Sequence, residues 1–219
     1  MARILTAALA GGRVAKRTSS GRWKQRQARD PFVRRAQSEG WRSRAAFKLM
    51  EIDDKERLLR RGALVVDLGA APGGWSQVAT QRVGEGGHVV AVDLLEMDAL
   101  PGVDYIQGDF TDEAILEQVE QALGGRKADV VLSDMAPNIS GNSSVDQPRS
   151  MGLCELVLAS TDRLLRPGGS LVVKVFQGEG FDALVKAARA RFGVVRLRKP
   201  PASRAESREI YLVAGNYSL

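Results

Sequence analysis

The run Ala63-Leu-Val-Val-Asp-Leu-Gly-Ala-Ala-Pro-Gly-Gly-Trp-Ser76 constrains the fold more than any other stretch of the chain. Leu64 to Leu68 place four apolar residues around one Asp, the pattern of a strand covered on both faces. Gly69 to Gly74 then predict a sharp turn, and a helix should start at about Trp75. Gly69, Gly73 and Gly74 reach dihedrals that other residues resist, and they let backbone come close to a ligand. Strand, glycine turn and helix in succession build a nucleotide-like pocket at the carboxyl edge of an α/β sheet.

The turn is not Gly-x-Gly-x-x-Gly. Gly69 and Gly74 have P-loop spacing, but Trp75 stands where the phosphate-binding Lys belongs. A pyrophosphate is therefore poorly served. Asp67, just before the turn, favours a cationic ligand. Asp93 ends the next apolar run, His88-Val-Val-Ala-Val-Asp93, at the distance where a carboxylate takes a ribose diol. These features suit S-adenosylmethionine, whose sulfonium is positive. Another nucleotide ligand, or a turn with no ligand, stays open on the loop alone.

The chain has 219 residues, 44% of them hydrophobic, enough for one α/β domain with a proper core. No apolar run approaches a membrane span. One Cys, Cys154, excludes an internal disulfide and a multi-Cys metal site, and one His, His88, excludes a histidine-rich metal centre. Chemistry must come from Lys, Asp, Glu and hydroxyls, with no metal.

Charge is unevenly spread. Residues 1–48 hold 13 Lys and Arg against 2 Asp and Glu, whereas residues 49–219 hold 19 against 24. A basic arm on a mildly acidic body fits a polyanion partner. Trp23, Phe32 and Trp41 sit among the arginines and could stack on bases. The alternative is a solvated tail. Residues 1–20 read as a disordered basic extension that also resembles an organellar transit peptide. Residues 21–219 read as a single domain, its first part (21–60) a basic arm and helix facing the polyanion.

That helix is predicted over Arg44 to about Leu59, capped by Ser43, with Lys48 projecting from it. Further on, strands are predicted at Val89–Asp93, Val103–Gln107, Ala128–Asp134, Ser170–Phe176, Val194–Leu197 and Glu209–Ala214. Helices are predicted at Trp75–Val83, after a Thr111 cap, at Arg149–Leu165 and at Phe181–Phe192, with a polar loop over Ser140–Pro148. The β-α alternation predicts a mostly parallel sheet with helices on both faces. The short Arg198–Arg208 link makes the last strand antiparallel to the one before it.

Polar residues fall at the strand ends, where such sheets work. Asp134 ends Val-Val-Leu-Ser-Asp, Lys174 interrupts Leu-Val-Val-Lys-Val-Phe, and Glu209 opens the final strand. A buried Lys needs partners or a pocket to point into, because an unpaired buried ammonium is very costly. A structural ion pair is the plain alternative for each. Cys154 lies within an apolar helix and reads as core.

Five motifs carry a resemblance: residues 67–76, Ser-Asp-Met-Ala-Pro-Asn (133–138), Val-Lys-Val-Phe-Gln-Gly (173–178), Ser-Arg-Glu-Ile-Tyr (207–211) and Arg-Ser-Arg-Ala-Ala-Phe-Lys-Leu (42–49). Together they resemble the FtsJ/RrmJ-type ribosomal RNA ribose 2′-O-methyltransferases, over roughly residues 20–214. The resemblance implies a Rossmann-like class I methyltransferase fold with a seven-stranded sheet. It implies a catalytic tetrad of Lys48, Asp134, Lys174 and Glu209. It also implies S-adenosylmethionine, leaving as S-adenosylhomocysteine, held by Gly73, Trp75, Asp93, Asp109 and Asp134. The implied substrate is a uridine of 23S ribosomal RNA on the large subunit, and the implied enzyme is a monomer of the bacterial cytoplasm, with a mitochondrial matrix as second choice. The residues agree: a ribose hydroxyl needs a base within reach, and Lys is the available candidate, as base or as orienting charge. A non-catalytic ribosome-assembly factor, a methyltransferase of another RNA, and a nicotinamide oxidoreductase are the competing readings. The intact tetrad argues against the first, and the missing glycine fingerprint against the last.

Overall fold

The computed structural model describes residues 30–137 and 140–218. The expectations for residues 1–20, Trp23 and Asn138 lie outside the described residues. In chain order the elements are α1 (Pro31–Ser38), α2 (Ala45–Glu56), β1 (Leu64–Leu68), α3 (Gly74–Val83), β2 (His88–Asp93), β3 (Val103–Gln107), α4 (Glu113–Ala122), β4 (Ala128–Ser133), α5 (Ser143–Leu164), β5 (Leu165–Phe176), α6 (Phe181–Arg191), β6 (Phe192–Arg198) and β7 (Glu209–Tyr217).

The seven strands form one sheet in the order β3-β2-β1-β4-β5-β7-β6. The first five are parallel, and β7 runs antiparallel between β5 and β6. The predicted class and the antiparallel final strand are borne out. β1 is buried along its whole length because it sits mid-sheet with helices on both sides. Strand periodicity sorts the side chains between two cores. Leu64, Val66, Leu68, Val131, Leu171, Val173 and Val175 face α4, α5 and α6. Val65, Val130, Leu132, Val172, Tyr211 and Val213 face α2 and α3.

That alternation positions the candidate site. Asp67 follows Val65 by two, Asp134 follows Leu132, Lys174 follows Val172, and Glu209 precedes Tyr211. All four therefore point to the α2/α3 side, at or near the carboxyl edge of the parallel strands. α2 turns Ala46, Leu49 and Ile52 into the same layer and brings Lys48 with them. α2 is tied to α3 by the Trp75 indole N–H, which donates to the Ala45 carbonyl at 2.8 Å.

Several boundaries differ from the sequence expectation. α1 was not anticipated, although Asp30 caps it by accepting from the Phe32 amide at 3.0 Å and Pro31 fits its first turn. The cap residue of α2 is Arg44, not Ser43. This helix stops at Glu56 because the buried Asp53 carboxylate takes the Leu58 and Leu59 amides at 2.9 and 2.8 Å. Asp112, not Thr111, caps α4, since the Thr111 hydroxyl is bonded to Asp109 at 2.8 Å. The loop expected over 140–148 is largely helix. Asn142 caps α5 by accepting from the Ser144 amide at 3.1 Å, and Pro148 sits inside its second turn. Polar composition masked that start. Pro167-Gly168-Gly169 does not separate helix from strand. β5 begins at Leu165, and its register against β4 jumps from Ala128↔Leu165 to Val130↔Ser170.

Replacing Trp75 by Phe removes the indole donor to the Ala45 carbonyl while keeping an aromatic ring. We expect a loss of about 1–2 kcal/mol in urea unfolding, with an unchanged denaturant slope.

Candidate active site

Two lysine–carboxylate pairs meet on the α2/α3 face of the sheet. Lys174 Nζ lies 3.2 Å from Asp134 Oδ1 and donates to the Asp134 carbonyl at 2.5 Å. Lys48 Nζ lies 2.6 Å from Glu209 Oε1. Lys48 and Lys174 are 8% and 9% exposed, so each ammonium depends on its partner rather than on water. The pairing of β5 with β7 sets Lys174 opposite Tyr211 and Phe176 opposite Glu209, which brings the two pairs side by side.

Tyr211 joins the pairs and was given no role by the sequence reading. Its hydroxyl donates to Asp134 Oδ1 at 2.6 Å, and Lys48 Nζ lies 5.6 Å from its ring centroid. The ring also packs against Trp75 at 5.7 Å. Burial, then the charges of Asp134 and Glu209, hold the phenol well above its ordinary pKa, so it stays a donor. The available signal was positional: Tyr211 shares a strand face with Glu209, two residues earlier. Cys154 is core, as expected. Its thiol donates to the Lys174 carbonyl at 3.2 Å, and burial pushes its pKa up to about 12, the Lys174 charge only partly opposing this.

Beside the tetrad lies the glycine turn. Gly69 has φ +77°, and a Cβ there would come within 1.9 Å of Met135 Cγ. Gly73 has φ +100° and stands before the first turn of α3, whose leading amides have no intrahelical acceptor. Asp93 supports the turn: its Oδ2 accepts from the Ala71 amide at 2.9 Å and its Oδ1 from the Leu95 amide at 2.8 Å. Each oxygen retains a lone pair for a further donor. Asp109 stands nearby, because the Gly108 amide donates to the Asp93 carbonyl at 2.9 Å. Asp109 Oδ1 accepts from the Thr111 amide and hydroxyl at 2.9 and 2.8 Å, and no bond engages Oδ2 among the described residues. Trp75 is buried, and its indole N–H is already committed to the Ala45 carbonyl.

Arg42 was part of a recognised motif but had no assigned task. Its guanidinium donates to the carbonyls of Pro72 at 3.3 Å, Asp98 at 2.7 Å and Ala99 at 2.7 Å. It thereby ties the turn after β1 to the segment after β2. Its backbone amide is held by Gln77 Oε1 of α3 at 3.0 Å.

Asp67 is the acidic centre of this edge. Its Oδ2 accepts from Ser76 Oγ at 2.6 Å, but its Oδ1 is buried without a partner. Desolvation pushes its pKa up to about 7; the Ser76 hydrogen bond opposes this, and the charges of Asp134 and Asp93 add to it. An orphan carboxylate oxygen backed by two further carboxylates favours a cationic group and disfavours phosphate.

Comparison with known proteins agrees with this architecture. A family model described as FtsJ-like methyltransferase matches residues 41–217. A Pseudomonas fluorescens protein named ribosomal RNA large subunit methyltransferase E is 52% identical over 201 residues, 92% of this chain and 96% of that protein. A Pseudomonas aeruginosa protein of the same name is 52% identical over 204 residues, 93% of this chain and 99% of that one. A crystal structure of a ribosomal RNA methyltransferase from Plasmodium falciparum superposes with a TM-score of 0.74 at 30% identity, covering 81% of this chain and 98% of that chain.

Asp67 gives a pH-dependent stability. Its pKa is higher in the folded chain than the ordinary 3.8, so its contribution is fully present below about pH 4 and is lost as pH rises through about 7. Thermal and urea unfolding of ligand-free protein should therefore show a component of a few kcal/mol falling across that interval. Asp67→Asn should remove that component, and an unaltered pH profile in the variant would show that Asp67 is not its source.

Proposed function

The chain belongs to the FtsJ-like methyltransferase family, and on that premise we propose that it methylates the ribose 2′-hydroxyl of a uridine in 23S ribosomal RNA, using S-adenosylmethionine, with the large subunit as substrate. The observation that carries this reading is the convergence of Lys48–Glu209 and Lys174–Asp134 beside the glycine turn. Both relatives from Pseudomonas bear the name of a large-subunit methyltransferase, which supports ribosomal RNA as the substrate class.

The residues of the turn fit the cofactor. In this reading the unpartnered Asp67 oxygen, with Asp93 and Asp134, supplies negative potential for a sulfonium. Asp93 takes ribose hydroxyls, Asp109 Oδ2 takes the adenine amino group, and Gly73 and Trp75 face the methionine portion with main chain. When bound, the cofactor supplies a methyl group already activated as a leaving sulfonium's substituent.

The protein's share is alignment and proton management. Lys174 makes two contacts with Asp134, and the third direction on its Nζ remains for the 2′-oxygen. We assign Lys174, once it has given one proton to solvent and carries a lone pair there, as the group that would take the 2′-hydroxyl proton as that oxygen is methylated. Asp134, itself fixed by Tyr211, sets the Lys174 orientation. Lys48 and Glu209 hold the ribose beside it, Glu209 as acceptor and Lys48 as donor. The basic arm (residues 21–60) is assigned to the RNA, with residues 1–20 as an extension of it. The catalytic unit is a monomer in this reading, and the bacterial cytoplasm goes with the substrate.

Incubation of unmodified large subunits with labelled S-adenosylmethionine should give one ribose resistant to alkaline cleavage. Lys174→Ala should lower single-turnover transfer by about 10²–10⁴-fold with cofactor affinity kept. Lys174→Arg keeps the charge but cannot accept a proton, and it should fail similarly. An active Lys174→Arg would make Lys174 an orienting charge instead, and label on a base would remove the reading.

A further inference from the structure

At the opposite end of the strands lies a groove that this chemistry does not use. It encloses about 610 Å³ and is walled by Arg57, Arg60 and Arg61 in the turn after α2, by Arg166 in the β5 irregularity and by Arg196 on β6. Main chain at the starts of β1 and β5 and the end of β7 forms its floor. Two carboxylates line it, and both are engaged. Glu56 is held by Arg198 at 2.5 Å and Arg196 at 3.3 Å, and Asp129 by Arg166 at 2.6 Å and the Leu64 amide at 2.7 Å. Arg57, Arg60 and Arg61 are exposed, and among the described residues they form no ion pair or side-chain hydrogen bond. Five arginines against two carboxylates leave the groove strongly positive.

We propose that this groove is a second RNA-contact site that takes backbone phosphates of a substrate segment remote from the modified ribose. The proposal rests on the RNA reading given above. Guanidinium groups match phosphate oxygens bidentately, and three of them here have no competing protein acceptor among the described residues. Ser170 in the groove precedes Lys174 by four residues, and Ala63 precedes Gly69 by six. At about 3.3 Å per strand residue, the groove lies roughly 13–20 Å from the reacting edge. The modified nucleotide alone does not span that distance, whereas a longer RNA segment passing round the sheet does. Contacts of this kind fix orientation without reading sequence.

The test is salt-dependent filter binding of large-subunit ribosomal RNA to the full chain and to Arg57→Gln/Arg60→Gln/Arg61→Gln. Arg126→Gln/Lys186→Gln/Arg189→Gln, which removes three exposed charges elsewhere, is the control. The groove variant should bind about tenfold more weakly near physiological salt, and its log–log salt slope should fall by about two. Cofactor affinity and kcat on saturating large subunits should stay unchanged, which also shows that the variant is folded. An unaltered slope in the groove variant, or an equal loss in the control, overturns the proposal. Wild-type protein that binds the RNA without methylating it would instead remove the substrate reading, and the slope comparison would still decide the groove.

Discussion

Two ammonium groups withdrawn from water are the constraint around which this protein is arranged. An isolated buried ammonium costs several kcal/mol, so Lys48 and Lys174 can exist at this edge only with carboxylates in place. Glu209 and Asp134 meet that need directly, at 2.6 and 3.2 Å. The carboxylates are constrained in turn. Asp134 also receives the Tyr211 hydroxyl and lends its own carbonyl to Lys174. Removing any one member leaves an opposite charge buried without a partner. The geometry of the two pairs and the geometry needed for folding are therefore the same geometry here.

Topology makes the arrangement possible. Lys174 and Glu209 are far apart in sequence, and a further parallel strand would have put Glu209 at the wrong end of the sheet. Because β7 runs antiparallel beside β5, its first residue lands at the carboxyl edge, opposite Phe176. Lys48 arrives from a helix that precedes the sheet altogether, held by the Trp75–Ala45 hydrogen bond and by the core around Leu49 and Ile52. A second anchor lies behind it. The Arg44 guanidinium bonds Asp30 and the Ala202 carbonyl, and Glu51 accepts from the Ala202 amide at 2.9 Å. The β6–β7 connection that leads into Glu209 is thereby fastened to the helix that carries Lys48.

Much of this was legible in the sequence, and the exceptions have physical causes. β1, β2 and β4 are largely apolar runs and β3 a short mixed one, all bounded by polar or glycine-rich turns, and their limits came out within a residue. Lys174 stood out because it interrupts an otherwise apolar strand, whereas Lys48, Asp134 and Glu209 were grouped with it by the motif resemblance. What failed were signals read by composition. Ser143, Ser144, Asp146 and Gln147 are polar yet helical, since Asn142 caps the helix and Asp146 folds the Ser140–Gly141 backbone onto it at 2.8 and 3.0 Å. Pro167-Gly168-Gly169 looks like a stop, but two glycines also suit a bulge inside a strand. The tasks of Tyr211 and Arg42 were hidden for a different reason. Tyrosine on a strand face is an ordinary core residue until its hydroxyl has a named acceptor, and an arginine among arginines shows no partner until the loops it joins are in place.

The two ends of the sheet divide the charge of the molecule between them. At the carboxyl edge Asp67, Asp93 and Asp134 surround the glycine turn, and burial holds Asp67 near pKa 7 with one oxygen unpartnered. Such a site repels phosphate, so an RNA chain crossing it has to be held by groups other than the turn itself. Lys48 and Lys174 are each committed to a carboxylate and add no net charge there. Attraction for a polyanion must then come from outside the reacting edge, from the arm that precedes α2 and from arginines whose guanidinium groups have no acceptor among the described residues. The acidity that suits the turn to a cation thus explains why basic residues gather in the arm and at the opposite end of the strands, on a body that is otherwise mildly acidic.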